Sequence, residues 1–128
     1  MRVEGKVAVV TGGANGIGEA LGRRFVKEGA RGVALADIDG EKVKTVADEL
    51  GALGIQADVT AEADIVNLVK QTEKAFGPID LFCSNAGIIS SDAPDFTAAS
   101  APDDVWQKSW EIHVMAHVYA ARAVLPGM

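Results

Sequence analysis

The chain has 128 residues, enough for a single domain with its own hydrophobic core. It is 48% hydrophobic and 23% charged, the composition of an ordinary globular protein without a disordered tract. The net charge of −6 disfavours nucleic acid and anionic membrane surfaces as partners, and no apolar run approaches the roughly 18 residues of a membrane span.

The first predicted unit consists of a strand, a glycine-rich turn and a helix. Val7–Val10 is a continuous apolar run, which is typical of a parallel strand covered on both faces. The turn Thr11–Gly18 follows this strand, and a helix is predicted from Ile17 to Glu28. One side of the helix is expected to be apolar and carries Ile17, Ala20, Leu21 and Phe25.

The glycines of this turn are spaced for the close approach of an anion. Gly12, Gly16 and Gly18 let a strand turn sharply and let the backbone approach a pyrophosphate without Cβ atoms in the way. The unpaired N–H groups and the positive dipole end of the following helix then face the anion. A purely structural turn is the alternative, but the flanking strand and helix favour a dinucleotide site.

The second unit places a carboxylate at the end of a strand. Val33–Ala36 is the predicted strand, and Asp37 follows it, 37 − 18 = 19 positions after Gly18. An acidic residue about 20 positions beyond such a turn binds the hydroxyl groups of the adenosine ribose. Asp39 is the expected N-cap of the next helix, which ends at Gly51.

The same alternation continues through the middle of the chain. Leu53–Ala57 is the third predicted strand and leads to Asp58 and Val59, with Thr60 as the expected cap of the next helix. Ile79–Cys83 is the fourth predicted strand. This alternation predicts an α/β fold with a doubly wound parallel sheet of the Rossmann type, strand order 3-2-1-4. Residues 1–128 are expected to form one domain, with the remaining strands of the sheet absent from the chain.

The last segments are predicted as a loop and a long helix. Ile88–Asp103 is rich in Ser, Ala, Asp and Pro, and is either part of a substrate-pocket wall or a surface insertion. The helix is predicted from about Asp104 to Leu125 and is apolar on more than one side. Because a helix on a sheet needs only one apolar stripe, the surplus suggests a second covered surface.

Cysteine and histidine usage argues against thiol and metal chemistry. Cys83 lies in an apolar run, so a buried inert thiol is favoured over a nucleophile. His113 and His117 stand four positions apart, but no cluster of Glu or Cys completes a set of metal ligands. The start of the chain does not have the pattern of a signal peptide, which predicts a cytoplasmic protein.

These motifs closely resemble those of the short-chain dehydrogenase/reductase family. The family's cofactor turn reads Thr-Gly-x-x-x-Gly-x-Gly, as Thr11–Gly18 does, and the likeness extends over essentially the whole chain. The resemblance implies contacts with a nicotinamide dinucleotide at each motif. These are Gly12, Asn15, Gly16, Ile17 and Gly18 around the pyrophosphate and neighbouring ribose, Asp37 at the adenosine ribose, Ile38 beside adenine, Asp58 and Val59 at the adenine edge, and Asn85, Ala86 and Gly87 along the cofactor.

The predicted cofactor is NAD(H). The Asp37 carboxylate would repel the 2′-phosphate of NADP(H), and neither Asn15 nor Ile38 supplies a compensating cation. We expect a preference of at least about tenfold, which corresponds to roughly 1.4 kcal/mol. The resemblance implies a small secondary alcohol or ketone as substrate, whose identity the sequence does not give, and a homo-oligomer, either a tetramer or a dimer.

The sequence departs from the family at the positions that perform the chemistry. Family members use Asn, Ser, Tyr and Lys, the last two as Tyr-x-x-x-Lys, whereas Tyr119 is the only tyrosine here and is followed by Ala-Ala-Arg-Ala. His113 occupies the position of the asparagine, either as a variant of a proton relay or as a hydrogen-bonded core histidine. We expect the chain to be the cofactor-binding half of an enzyme and inactive alone. The open edge at strand four is expected to promote association.

Two functions from different classes remain open at this stage. The first is an NAD(H)-dependent oxidoreductase represented by its cofactor-binding half. The second is a catalytically silent NAD-binding or interaction module. A methyltransferase that binds an adenosyl cofactor is a third candidate, but Thr11–Gly18 together with Asn85-Ala86-Gly87 fits it badly.

Overall fold

The protein is described by a computed structural model covering residues 1–89 and 100–128. Strands and helices alternate along the chain, as the sequence predicts. The strands are β1 (Val7–Thr11), β2 (Gly32–Asp37), β3 (Leu53–Gln56) and β4 (Leu81–Cys83). The α-helices are α1 (Gly16–Lys27), α2 (Gly40–Leu50), α3 (Glu62–Phe76), α4 (Asp103–Trp110) and α5 (Ala116–Val124), with a π-helical turn at Glu111–Met115 and a 3₁₀ turn at Leu125–Gly127.

The described strands form one parallel sheet in the order β3-β2-β1-β4, which confirms the predicted fold class and strand order. β1 lies in the centre, and all of its residues are buried. Helices cover both faces of the sheet. Val7 and Val9 pack towards α3 and α5, whereas Ala8 and Val10 pack towards α1 and α2. Strand alternation therefore explains why β1 is apolar throughout.

The side of α1 that faces the sheet differs from the prediction. Ile17 is 74% exposed and Ala20 is also exposed, so neither belongs to the core. The buried residues of the helix are Gly18, Gly22 and Phe25. The backbone of α1 packs so closely on the sheet that a Cβ at Gly22 would lie 2.7 Å from Cδ2 of Leu35. Of the four predicted residues, Phe25 is buried and Leu21 packs against the core as expected. The rest of the buried side is made by glycines, which hydrophobic periodicity does not detect.

Helix boundaries confirm one predicted cap and correct another. The Asp39 carboxylate accepts a hydrogen bond of 3.0 Å from the Lys42 amide at the start of α2, and Gly51 ends that helix with φ of 65°. The prediction that Thr60 caps α3 is wrong, because Ala61 is the N-cap. The Thr60 hydroxyl instead donates to Oδ1 of Asp58 at 2.7 Å.

Asp80 precedes β4 and links it to the start of β1, at the end of these strands that lies opposite the glycine turn. Its carboxylate accepts hydrogen bonds from the Val7 amide at 2.9 Å and from the Lys6 ammonium at 3.0 Å. These two donors, the Val7 amide foremost, hold the pKa of Asp80 below its ordinary value. The charged form of Asp80 therefore favours the folded state.

The last helical region is continuous from Asp103 to Val124, but it is not one regular α-helix. A π-helical turn, Glu111–Met115, separates α4 from α5. Apolar residues are found on two sides, as predicted: Ile112 is buried, whereas Trp106 and Trp110 are more than half exposed. Most of the predicted loop, residues 90–99, lies outside the described residues.

β4 forms one edge of the described sheet, and its three residues are half-buried although all are apolar. Burial raises the pKa of the Cys83 thiol, which agrees with the prediction that this thiol is inert. Within the described residues, no helix is long and apolar enough to cross a membrane. The same residues contain no group of three His, Cys, Asp or Glu side chains that could hold a metal ion.

Candidate functional site

The glycine turn connects β1 to α1 and exposes backbone N–H groups. Gly12 and Gly16 have φ of 69° and 53°, in the left-handed region that disfavours other residues. The first backbone hydrogen bond of α1 runs from the Glu19 amide to the Asn15 carbonyl at 3.1 Å. The amides of Gly16, Ile17 and Gly18 therefore lack an acceptor within the helix, and Asn15 supplies no side-chain cap. This arrangement can bind an anion.

Gly18 brings the helix and the strand into direct contact behind the turn. A Cβ atom at Gly18 would overlap the carbonyl oxygen of Gly12. A Cβ at Gly12 would lie 3.0 Å from Cα of Ala86 and 3.1 Å from Nδ2 of Asn85. Both glycines are thus required by packing, and the turn is held against the end of β4.

Thr11 links the ends of β1 and β4. Its buried hydroxyl oxygen accepts hydrogen bonds from the amides of Asn85 at 3.0 Å and Ala86 at 3.1 Å. In return, the Asn85 side-chain amide donates to the Thr11 carbonyl at 3.0 Å. The sequence motif contains Thr11, but only the folded structure shows that its hydroxyl joins two strands. The link fixes Asn85 and Ala86 beside the glycine turn.

Asp37 lies at the end of β2 with its carboxylate already oriented by the backbone. Oδ2 accepts from the Ala14 amide at 3.1 Å, and Oδ1 accepts from the Asp39 amide at 3.1 Å. A carboxylate oxygen can accept more than one hydrogen bond, so each oxygen keeps capacity for a further donor. Asp37 therefore stabilises the glycine turn and still presents an acceptor to a ligand.

Asp58 has a similar dual arrangement after β3. Its Oδ1 accepts from the Thr60 amide at 2.9 Å and from the Thr60 hydroxyl. Its own amide donates to Oδ2 of Asp64 at 3.0 Å. One carboxylate oxygen of Asp58 is thus used within the loop, which leaves Oδ2 for another donor.

These strand ends border one cavity of about 680 Å³. All of the predicted site residues line it except Gly16, which lies in the turn, and His113, which contacts the wall from outside. The predicted residues on its wall are Gly12, Asn15, Ile17, Gly18, Asp37, Ile38, Asp58, Val59, Asn85, Ala86 and Gly87. The exposure of Ile17 and Ile38 is explained by this position, since both face the cavity rather than the core.

Five wall residues were not among the predicted site residues: Ala57, Ile88, Ile89, Lys108 and Ile112. Ile88 and Ile89 begin the predicted loop, for which a pocket wall was one of the two interpretations. Ala57, Ile88 and Ile89 directly adjoin the predicted motifs, which is a signal that could have identified them. Lys108 and Ile112 stand four positions apart, a spacing that puts two residues on the same side of a helix. Only the folded structure shows that this side borders the cavity.

His113 contacts the segment that follows Gly87. Its Nε2 lies 3.0 Å from the Ile88 carbonyl oxygen and 3.3 Å from the Ile88 amide nitrogen. With a proton on Nε2 the ring donates to the carbonyl, and without one it accepts from the amide, so each tautomer can hold Ile88. His113 is exposed, so the interpretation of it as a core histidine is wrong. A Cβ at Gly87 would lie 3.1 Å from Cε1 of the ring.

Comparison with known proteins gives consistent matches. The sequence model of the family described as short chain dehydrogenase matches residues 6–128. Zerumbone synthase of Zingiber zerumbet is 37% identical over 136 aligned residues, covering 100% of this chain and 50% of the relative. A (+)-cis,cis-nepetalactol synthase of Nepeta racemosa is 45% identical over 95 residues, covering 72% of this chain and 35% of the relative.

Solved structures agree with the sequence matches. A 3-ketoacyl-(acyl-carrier-protein) reductase from Brucella melitensis, determined in complex with NADH, superposes with a TM-score of 0.90 at 32% identity. The superposition covers 98% of this chain and 51% of that one. The chain thus spans about half the length, or less, of the relatives named here.

Proposed function

Because the chain belongs to the short chain dehydrogenase family, we propose that it binds NAD(H) as the cofactor-binding part of an oxidoreductase that interconverts a secondary alcohol and a ketone. The observation that carries this proposal is the placement of the glycine turn and Asp37 on the same cavity wall. The turn offers N–H donors to a pyrophosphate, and Asp37 offers acceptors to ribose hydroxyls.

The residues present fit a dinucleotide. At Gly12 and Gly18, where side chains would close the turn, the chain has glycine. The Asp37 carboxylate is oriented by two backbone amides before any ligand arrives, which lowers the cost of binding. The cavity of about 680 Å³ lies within the 300–1,000 Å³ typical of ligand pockets.

The preference for NAD(H) over NADP(H) rests on the charge of Asp37. A 2′-phosphate on the adenosine ribose would stand beside this carboxylate. Two like unit charges about 4 Å apart repel by roughly 1 kcal/mol in water and about 4 kcal/mol at an effective dielectric constant near 20. The Brucella reductase, determined with NADH, supports a nicotinamide cofactor for this fold.

The bound cofactor would exchange a hydride with the substrate carbon. Asp37, the glycine turn and the Asn85–Gly87 segment would bind and orient it. The family's Tyr-x-x-x-Lys is absent from these 128 residues, since the one tyrosine, Tyr119, is followed four positions later by Ala123. Tyr119 is half-buried in α5, with the Arg122 guanidinium 6.0 Å from its ring centre. We therefore propose that these 128 residues bind the cofactor but do not catalyse the reaction alone.

His113 is proposed as a positioning residue. It lies in the π-helical turn between α4 and α5, and such turns are frequent at functional sites. Through Ile88 it holds the chain that leaves β4, and Ile88 lines the cavity. Its role is thus to fix one wall of the cavity.

A homo-oligomer is also proposed. Trp106, Trp110 and Val114 follow one another at four-residue intervals and are 55%, 54% and 37% exposed. Their spacing puts them on one side of the helical region, opposite the buried Ile112. An exposed aromatic stripe of this kind favours burial against another surface.

Titration with both reduced cofactors tests the proposed function. NADH should bind at least about tenfold more tightly than NADPH, and Asp37→Ser should reduce this ratio, both by relieving the repulsion of the NADPH 2′-phosphate and by weakening NADH. Glu49→Ser is a matched control, because Glu49 is an exposed acid on α2 that pairs with Arg23 away from the cavity. Equal dissociation constants for the two cofactors in the unmodified protein would contradict the role of Asp37.

A further inference from the structure

Four residues form a wall shared by two neighbouring cavities. Ile38, Asp58, Lys108 and Ile112 line both the cavity of about 680 Å³ and an adjacent one of about 420 Å³. The two isoleucines offer apolar surface, whereas the other two side chains carry opposite charges. Ile38 and Asp58 follow neighbouring strands, and the other two lie one turn apart at the end of α4 and the start of the π-helical turn.

Lys108 has no partner among the described residues. Its ammonium forms neither a hydrogen bond nor an ion pair within residues 1–89 and 100–128, although Asp104 and Glu111 lie one turn away along the helix. The side chain is exposed. A free cation on a cavity wall has no structural role in the described fold and is available to a ligand.

Lys108 lines the larger cavity together with the glycine turn, and it also lines the smaller one. The smaller cavity includes Thr60 and Gln107 on its wall but no residue of Gly12–Gly18. The smaller cavity therefore groups Lys108 with Ile38 and Asp58, where the resemblance to the family puts adenine.

The chemistry of the shared wall complements adenine. The base has apolar faces, and its edge presents a donor amine beside acceptor ring nitrogens. Asp58 offers only acceptors, with Oδ1 already bonded to Thr60, and Lys108 offers only donors. We propose that Lys108 is a specificity-determining residue that donates to a ring nitrogen of adenine, next to the amine that meets Asp58. This inference rests on the proposed function, since it requires a bound adenine dinucleotide.

Competition binding with fragments tests the inference. NADH bound to the purified protein is followed by its fluorescence and is displaced with adenosine, which carries no phosphate, and separately with ADP-ribose. Lys108→Met keeps the length of the side chain but removes its donors, and should weaken adenosine about threefold to tenfold. Lys108→Arg should restore most of this loss. Lys70→Met is the control, at an exposed lysine on α3 outside both cavities, and should leave the affinity for both ligands unchanged.

The outcomes distinguish this inference from the proposed function. Weaker adenosine binding by Lys108→Met, with an unchanged melting temperature, supports it. If Lys108→Met bound adenosine with unchanged affinity but ADP-ribose more weakly, Lys108 would attract phosphate and the inference would be overturned. Unchanged affinity for both ligands would also overturn it. If the unmodified protein bound NADH and Lys108→Met bound adenosine and ADP-ribose with the same affinities as the unmodified protein, only this inference would fail. If the unmodified protein bound neither NADH nor adenosine, the proposed function would fail and this inference with it.

Discussion

Replacing Gly18 by alanine should disrupt the glycine turn more than any other single-methyl change in α1. The new Cβ would overlap the Gly12 carbonyl oxygen, which belongs to the backbone and has no rotamer to adopt. The helix must therefore move away from β1, and the N–H groups at its start move with it. Overpacking of this kind costs about 1–3 kcal/mol, or roughly 3–15 °C in melting temperature for a domain of this size.

The matched control is Gly22→Ala, one turn further along the same helix. There the new Cβ would lie 2.7 Å from Cδ2 of Leu35, the far end of a flexible side chain. Leu35 can shift without moving the helix, and an alanine gains roughly 0.5–1 kcal/mol over glycine inside a helix. We expect a smaller change in melting temperature and little change in NADH affinity.

Thermal unfolding followed by circular dichroism and NADH titration by fluorescence measure both effects. Gly18→Ala should melt lower than the unmodified protein and bind NADH at least about tenfold more weakly, while Gly22→Ala should retain binding. If Gly18→Ala bound NADH with unchanged affinity, the close contact between α1 and β1 would not be needed for the site. Equal effects of the two variants would equally refute the reasoning.

Three further predictions concern the framework around the site. Thr11→Val leaves the amides of Asn85 and Ala86 without their acceptor and should lower the free energy of unfolding, measured with urea, by about 1–3 kcal/mol. Thr72→Val is the control and should lower it less, because the Thr72 hydroxyl only donates to a helix carbonyl. Equal losses would argue against the link between β1 and β4. Because the pKa of Asp80 is lowered in the fold, its stabilisation is present above the unfolded pKa near 3.8 and is lost as pH falls through the lower folded value. The melting temperatures of Asp80→Asn and the unmodified protein should therefore differ at pH 7 and converge as the pH falls below 3.8 and through the lower folded pKa. A difference that does not depend on pH would contradict this. His113→Leu should weaken NADH binding about threefold to tenfold with little change in melting temperature. His113→Asn should recover part of the lost affinity. A large drop in melting temperature with unchanged NADH binding would indicate a purely structural role.

The order and type of the elements could be predicted because the signals are local. Apolar runs such as Val7–Val10 predict buried parallel strands, and Gly51 ends a helix through its own backbone conformation. The turn Thr11–Gly18 and Asp37 were identified for the same reason, since their spacing reflects a single β-α-β unit. The residues that these motifs bring to one cavity follow from the fold once the parallel sheet is known.

Features that depend on contacts between distant segments could not be predicted. The buried side of α1 includes Gly18 and Gly22 beside Phe25, and hydrophobic periodicity treats the two glycines as breaks. Only the closeness of the Gly12 carbonyl and of Leu35 on β2 makes glycine necessary there. Thr60 has the sequence of an N-cap but donates to Asp58, and choosing between these bonds requires the loop conformation. Lys108 enters the cavity wall only because the fold places α4 across a cavity from Asp58 and Thr60, which follow β3.

The central claim is that the glycine turn binds the two phosphates and that Asp37 binds the adenosine ribose. A crystal structure of the protein with NADH tests it most directly. In that structure the pyrophosphate is expected at the backbone amides that begin α1, with the ribose hydroxyls donating to the Asp37 carboxylate. A structure with NADH bound elsewhere, or with the turn filled by the protein's own side chains, would contradict it.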